Sequence, residues 1–116
     1  MSDSPATIIE RHPGVIVVRI QSDRLDESNI ADVRSDVSAA GEESPQLPVA
    51  LDMGKVGFMP SLSLGGLIGL CQVFKARGQR LVLVNLQGPV RHILAITRLD
   101  RMFEIIDDTS TLIGPR

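Results

Sequence analysis

Residues 57–70 read GFMPSLSLGGLIGL, a segment without a single charged side chain. Pro60 favours an extended conformation at the residue before it, so a helix cannot begin earlier than this position. Ser61 follows at the place of a helix N-cap, and we expect its hydroxyl to accept a hydrogen bond from the backbone N–H of Ser63 or Leu64. The segment therefore predicts a loop that leads directly into an apolar helix.

The predicted helix ends near Arg77, because Gly78 is a typical C-cap and basic side chains suit the last helical turn. Its residues form two uncharged stripes. The first contains Leu64, Leu67, Ile68 and Cys71, with Phe74 at its edge, and the second contains Leu62, Gly66, Leu70 and Val73. A helix that is apolar all round is either buried on every side or presents one face to a partner.

We interpret the second stripe as an exposed docking patch, because so small a domain can hardly bury a helix on every side. Gly65, Gly66 and Gly69 lower the stability of the helix by about 0.8–1 kcal/mol each relative to alanine. Their presence therefore indicates a packing or docking role. The alternative is that the glycines pack against the sheet of the same chain.

Short β-branched runs alternate with helical patterns along the rest of the chain, which indicates an α/β fold. A hairpin is predicted at residues 6–11 and 15–20, joined by the turn His12-Pro13-Gly14. Further strands are predicted at residues 49–52, 81–85 and 103–106. We expect one domain over residues 1–116, with a mixed central sheet, helices packed on it and the element order β-β-α-β-α-β-α-β.

Two more helices complete the predicted order. The first runs over residues 26–40, where Ile30, Val33 and Val37 share one face and Gly41 ends the helix. Residues 42–48 form a polar loop. The second runs over residues 89–98 and begins with a proline. About five N-terminal and four C-terminal residues are expected to be flexible, and the last ten residues are expected to form no more than a turn.

The composition excludes several classes of function. The net charge is −2 and no basic run exists, so we expect no nucleic-acid partner. One cysteine and two distant histidines provide no disulfide and no metal site, and we expect no cofactor. The N-terminus lacks the pattern of a signal peptide, which favours a cytoplasmic protein. Residues 56–74 are uncharged, but their proline and glycines argue against a transmembrane helix, and we expect no membrane association.

Several motifs together resemble a STAS domain of the anti-sigma factor antagonist kind. They are VALD at 49–52, VGFM at 56–59, then Ser61, Leu64 and Gly65, and NLQGPVRHILAITRLDRMFEI at 85–105. The resemblance extends from about residue 7 to 112. It implies a regulatory protein without enzymatic activity, which binds an anti-sigma factor that is also a serine kinase. Phosphorylation of one serine ends this binding, and a serine phosphatase restores it.

By position, the resemblance assigns the phosphorylated serine to Ser61, with Ser63 as the second candidate, and the acid at the end of the strand to Asp52. The predicted partner-binding residues are Met59, Pro60, Ser61, Leu62, Gly66 and Leu70. A phosphate at a helix N-terminus can be tolerated by backbone N–H groups, whereas its charge would repel an apolar or acidic partner. We expect at most a weak homodimer through the same patch.

The chain departs from the family pattern at the decisive loop. Pro60 replaces the acid before the serine, Leu62 replaces a second hydroxyl residue and Ser63 replaces a glycine. Ser61 could therefore be only a helix cap, and the protein a constitutive interaction module. A serine enzyme is a further alternative, but no Gly-x-Ser-x-Gly motif exists and the only bases available are His12 and His92. The glycines of residues 64–69 match no nucleotide-binding motif.

Overall fold

Five strands form one mixed sheet in a computed structural model that describes residues 5–113. The strands lie side by side in the order in which they occur in the sequence. They are β1 (Thr7–His12), β2 (Val15–Ile20), β3 (Val49–Asp52), β4 (Leu81–Val84) and β5 (Glu104–Ile106). β1 and β2 form the predicted antiparallel hairpin, and β2 to β5 are parallel.

A helix follows each of the strands β2, β3 and β4. These helices are α1 (Ile30–Glu43), α2 (Leu62–Arg77) and α3 (Gly88–Ile96); a 3-10 turn at Leu99–Arg101 and the single-turn helix α4 (Ser110–Ile113) lie on either side of β5. Right-handed crossovers between neighbouring parallel strands place α1, α2 and α3 on one face of the sheet. The predicted α/β class and element order are confirmed, and α4 is as short as expected.

Both faces of the central strands are buried. On the helical face Ile16, Val18, Leu51 and Leu83 pack against apolar side chains of the three helices. On the opposite face the alternate residues Val15, Val17, Ala50, Val82 and Val84 form a second cluster, with Leu112 of α4 packed against it. Burial on two sides explains why β3 and β4 have continuous apolar sequences instead of alternating ones.

The predicted start of α1 is wrong by four residues. Residues 26–29 form a turn in which Asn29 Oδ1 accepts a hydrogen bond from the Asp26 N–H at 3.0 Å. The Ile30 N–H donates to the Asp26 carbonyl at 2.9 Å, and the regular helix begins there. Asp and Asn side chains favour such local turns over helix interiors, and this preference is stronger here than the apolar periodicity.

The predicted end of α1 at Gly41 is also wrong, because the helix continues to Glu43. Gly41 is buried, and a Cβ atom there would lie 2.8 Å from Gln79 Oε1 and 2.9 Å from Phe74 Cζ. This glycine therefore permits close packing instead of ending the helix. The other predicted boundaries agree to within two residues; β4, for example, ends before Asn85, whose φ of 61° is left-handed.

The ends of the chain and the apolar segment complete the comparison with the sequence predictions. The predicted flexible termini fall almost wholly on residues 1–4 and 114–116, which lie outside the described residues. Between residues 5 and 113 no helix has both the length and the hydropathy needed to cross a membrane. The segment at residues 56–74 instead divides into a loop and most of α2.

Gln79 connects the end of α1 to the loop before β3, and we expect its loss to destabilise the fold. Its buried Nε2 donates to the carbonyl groups of Gly41 (3.1 Å), Ser44 (3.1 Å) and Leu47 (2.8 Å). Gln79→Ala removes all three hydrogen bonds. The Gly41 and Ser44 carbonyls still accept from the N–H groups of Ser44 and Leu47, whereas the Leu47 carbonyl loses its donor, and the free energy of unfolding should fall by about 2 kcal/mol. Urea unfolding followed by circular dichroism measures the change. Gln46→Ala, at an exposed position in the same loop, should have almost no effect; equal effects would contradict this role.

Candidate partner-binding site

The loop between β3 and α2 lies at the carboxyl edge of the parallel strands and presents Ser61 to solvent. Backbone hydrogen bonds tie this loop to the neighbouring segments. They join Met53 N to Val84 O (3.0 Å), Gly57 N to Asp23 O (2.9 Å) and Leu25 N to Phe58 O (3.0 Å). The loop is therefore held from two sides, and the position of Ser61 is defined by the sheet and by the segment before α1.

The predicted N-cap hydrogen bond of Ser61 is wrong. Ser61 already has helical backbone angles (φ −59°, ψ −26°), and its side chain caps no N–H group. The Ser63 N–H donates to the Pro60 carbonyl at 2.9 Å, and the Leu64 N–H donates to the Ser61 carbonyl at 3.0 Å. Because backbone carbonyls satisfy both N–H groups, the Ser61 hydroxyl is not needed as a cap and faces solvent.

Ser63 has a different environment from Ser61. It is 1% exposed, and its hydroxyl donates a 2.6 Å hydrogen bond to the Leu25 carbonyl. A buried hydroxyl needs such a partner, since leaving either group unpaired costs about 1–3 kcal/mol. Ser63 thus connects the first turn of α2 to the segment before α1, and in this conformation its oxygen is closed to a second protein.

The exposed apolar surface around Ser61 differs from the predicted patch. Phe58 and Leu62 are large apolar side chains with 47% and 67% exposure. Pro60, which lies between these two residues in the sequence, is half-buried. Met59 and Leu70, by contrast, are 6% and 1% exposed and belong to the core. The predicted patch is therefore corrected at these two positions, because their side chains pack beneath the surface.

Two of the three glycines of α2 allow close contact with α1. A Cβ at Gly66 would lie 2.4 Å from Ile30 Cγ1, and a Cβ at Gly69 would lie 3.1 Å from a terminal guanidinium nitrogen of Arg34. Gly66 is therefore part of an intramolecular contact, which corrects its predicted place in an open docking patch. The contact is with α1 and not with the sheet. Gly65 differs, since a Cβ there would meet no atom within 4 Å.

A charged cluster from the turn before α1 borders the site. The Arg24 guanidinium lies over the Phe58 ring, 4.5 Å from its centroid, and Arg24 Nε donates to Asp26 Oδ2 at 3.0 Å. Hydrogen bonds from Ser28, and then from Arg24, lower the pKa of Asp26 to about 2. Asp26 thus remains ionised well into acid and orients Arg24 on the aromatic ring.

Asp52, the last residue of β3, stabilises the start of the loop between β3 and α2. The carboxylate is buried; its Oδ1 accepts from the Gly54 N–H at 2.9 Å, and its Oδ2 accepts from Arg19 Nε at 3.2 Å. Arg19 also donates to Glu10 at 2.6 Å, and this hydrogen bond lowers the pKa of Glu10 and raises that of Arg19. Asp52 is thus surrounded by protein and has a structural role in this conformation.

Several residues of the site were missed in the sequence analysis. Phe58 lies within the quoted segment, and an aromatic side chain next to a proline in an uncharged loop could have indicated exposure. Arg24 comes from a segment about thirty residues earlier, and no local pattern connects it to the loop. Gln87, from the loop after β4, donates to the Gly54 carbonyl at 2.7 Å, and its role depends equally on strand order.

The arrangement offers little support for catalysis. His12 lies in β1 and His92 is exposed on α3, and within residues 5–113 no hydrogen bond joins either to Ser61 or Ser63. The same part of the chain contains no group of three side chains suited to a metal ion. The site is therefore an exposed hydroxyl with apolar neighbours, which is typical of a protein-binding surface.

The STAS domain family model matches residues 6–112, and the chain belongs to this family. The resemblance stated from the motifs is thereby confirmed. An anti-sigma F factor antagonist from Paenibacillus polymyxa is 26% identical over 100 residues, which span 86% of this chain and 85% of that protein. The family assignment and the fold agree over nearly the whole chain.

Solved structures show the same fold. An anti-sigma-factor antagonist domain protein from Planctomyces limnophilus superimposes with a TM-score of 0.79 at 18% identity, covering 96% of this chain and 97% of that one. A Bacillus cell fate determinant solved in its phosphorylated form has a TM-score of 0.66 at 20% identity, with 91% and 94% coverage. The five-stranded sheet and its helices therefore have the fold of these solved structures.

Alanine at Gly65 and Gly66 should have opposite effects on stability. Gly66→Ala places a methyl group against Ile30 and should lower the free energy of unfolding by about 1–3 kcal/mol. Gly65→Ala meets open space and should raise it by up to about 1 kcal/mol, because alanine favours the helix. Urea unfolding followed by circular dichroism suits this chain, which lacks tryptophan and tyrosine. Equal effects would contradict the α1–α2 contact.

Asp26→Asn should lower stability near neutral pH and have no effect in strong acid. The folded-state pKa of about 2 lies below that of an unfolded aspartate, so the stabilisation is complete above about pH 4 and is lost as the pH falls through about 2. Carboxyl NMR titration gives the pKa, and unfolding curves at several pH values give the stability. The exposed neighbour substitution Glu27→Gln should leave the pH dependence unchanged. A pKa near 4 for Asp26 would contradict this prediction.

Proposed function

We propose that this protein is an anti-sigma factor antagonist that binds an anti-sigma factor with serine kinase activity. The single observation that supports it most is the exposed, unbonded hydroxyl of Ser61 at the first turn of α2, next to exposed Phe58 and Leu62. The antagonists among its relatives support the same role. Such a complex forms in the cytoplasm, where sigma factors act.

In the proposed mechanism the surface of Phe58, Pro60, Ser61 and Leu62 packs against the kinase. A phosphate on Ser61 adds about −1.5 to −2 charges, and an apolar partner surface cannot solvate this charge. Phosphorylation therefore ends binding, and a serine phosphatase restores it. Ser61 is the proposed substrate because its oxygen is accessible, whereas that of Ser63 is buried and hydrogen-bonded.

A second candidate is a constitutive interaction module with the same surface and no phosphorylation. Pro60 favours it, because proline replaces the acidic residue of the family and restricts the backbone that a kinase active site must accommodate. In this version the exposed apolar residues bind the partner and Ser61 is only a surface residue. The two candidates share the interface and differ in the covalent chemistry at Ser61.

An experiment with the purified anti-sigma factors of the source organism distinguishes the two candidate functions. Each anti-sigma factor is tested in the presence of ATP. We expect one of them to bind the unmodified chain in calorimetry and to phosphorylate Ser61, as detected by tandem mass spectrometry. Ser61→Glu should weaken binding about tenfold or more, since it places a charge against an apolar surface. Ser61→Ala should bind normally and accept no phosphate.

Gln46→Glu is the matched control, because it adds the same charge at an exposed position in the loop before β3, at the opposite edge of the sheet. It should leave the affinity unchanged. Binding without phosphorylation, and without an effect of Ser61→Glu, would favour the constitutive module. If no anti-sigma factor binds the unmodified chain, the proposed function is wrong in both forms.

The weak homodimer stays a prediction. Sedimentation at increasing protein concentration is the measurement that tests it.

A further inference from the structure

The side chain of Arg34 extends from α1 across the surface of α2. Its Cδ lies 3.4 Å from the position of a Cβ at Gly66, and its Cζ and a terminal nitrogen lie 3.5 and 3.1 Å from that of a Cβ at Gly69. The two glycines therefore form a shallow trough for this side chain. The guanidinium lies close to α2 at Gly69, and Arg34 is nevertheless an exposed residue.

No carboxylate within residues 5–113 neutralises Arg34. Neighbouring arginines of the same region are paired, as Arg24 is with Asp26 and Arg77 is with Glu42. None of the ion pairs and hydrogen bonds of the described chain includes the Arg34 guanidinium. A glycine within a helix is unfavourable, yet the three atoms nearest to a Cβ at Gly69 all belong to this unpaired arginine. Intramolecular stability therefore does not explain the arrangement.

The part of α2 that lies beside Arg34 carries no charged side chain. The exposed residues of α2 before Lys75 are all uncharged: Leu62, Gly65, Gln72 and Val73. Gly65 lies one turn before Gly69, and a Cβ there would have no contact within 4 Å among residues 5–113. This face of α2 thus combines apolar side chains, a point of close approach at Gly65 and one positive group at its border.

We propose that Arg34 binds a carboxylate of the anti-sigma factor, while apolar side chains around that carboxylate pack over Gly65 and Leu62. This inference rests on the proposed function and specifies the chemistry of the partner: an aspartate or glutamate within an apolar surface. A guanidinium binds a carboxylate through two parallel hydrogen bonds. Because the glycine trough already orients Arg34, less side-chain entropy is lost on binding than for a free arginine.

The test uses the anti-sigma factor that binds the unmodified chain, measured by calorimetry at low and high salt. Arg34→Gln should weaken binding about tenfold, reduce its salt dependence and leave the unfolding midpoint nearly unchanged, because the guanidinium has no ion pair or hydrogen bond within residues 5–113. Arg34→Lys should restore only part of the affinity, since lysine lacks the planar fork. Lys75→Gln, at an exposed cation on the same helix, is the control and should change the affinity less than twofold.

A charge-reversal experiment then identifies the carboxylate. Arg34→Glu should bind more weakly than Arg34→Gln, and one Asp→Lys or Glu→Lys substitution in the anti-sigma factor should restore its binding. Equal loss with Arg34→Gln and Lys75→Gln, or no loss with either, would overturn the inference while the proposed function stands. Absence of binding by the unmodified chain would overturn the proposed function itself, so the two failures are distinguishable.

Discussion

The burial of β3 on both faces is the constraint on which the rest of the structure depends. All four of its residues are buried, and the last of them is Asp52, a carboxylate that must be paired where water is excluded. Arg19 from β2 and the Gly54 N–H provide the partners. The same contacts that make this carboxylate acceptable in the sheet also determine how the chain leaves β3 toward Ser61. Core stability and site geometry are therefore linked at one residue.

The contact between α1 and α2 provides the second link. Gly66 brings α2 against Ile30, and Gly41 brings α1 against Phe74 and Gln79, so each helix has a glycine where the other approaches. The helices can then cover the sheet closely with small residues at their seam. Arg34 and Leu62 remain exposed on the outer side of this seam. The exposed face of α2 is thus a consequence of the way in which its opposite face is packed.

At the site itself, some polar groups are hydrogen-bonded within the protein and others are not. Ser63 and the backbone N–H groups of the first helical turn have hydrogen-bond partners, whereas the Ser61 hydroxyl and the Arg34 guanidinium have none among residues 5–113. Arg24 is held over Phe58 by a carboxylate that stays ionised far into acid. A surface that combines exposed apolar side chains with polar groups lacking hydrogen-bond partners is suited to a second protein that supplies those hydrogen bonds.

The sequence alone determined the α/β class, the order of the elements and the loop that contains Ser61, because apolar periodicity, prolines and the family motifs are local features of the chain. It misplaced both ends of α1 and assigned Met59, Gly66 and Leu70 to an open patch. The errors at Gly66 and Leu70 share one physical reason: a glycine or leucine on a uniformly apolar helix carries no local sign of which neighbour it will touch. Only the tertiary structure decided that Gly66 and Gly69 face α1, that Leu70 faces the core, and that Ser61 keeps a free hydroxyl.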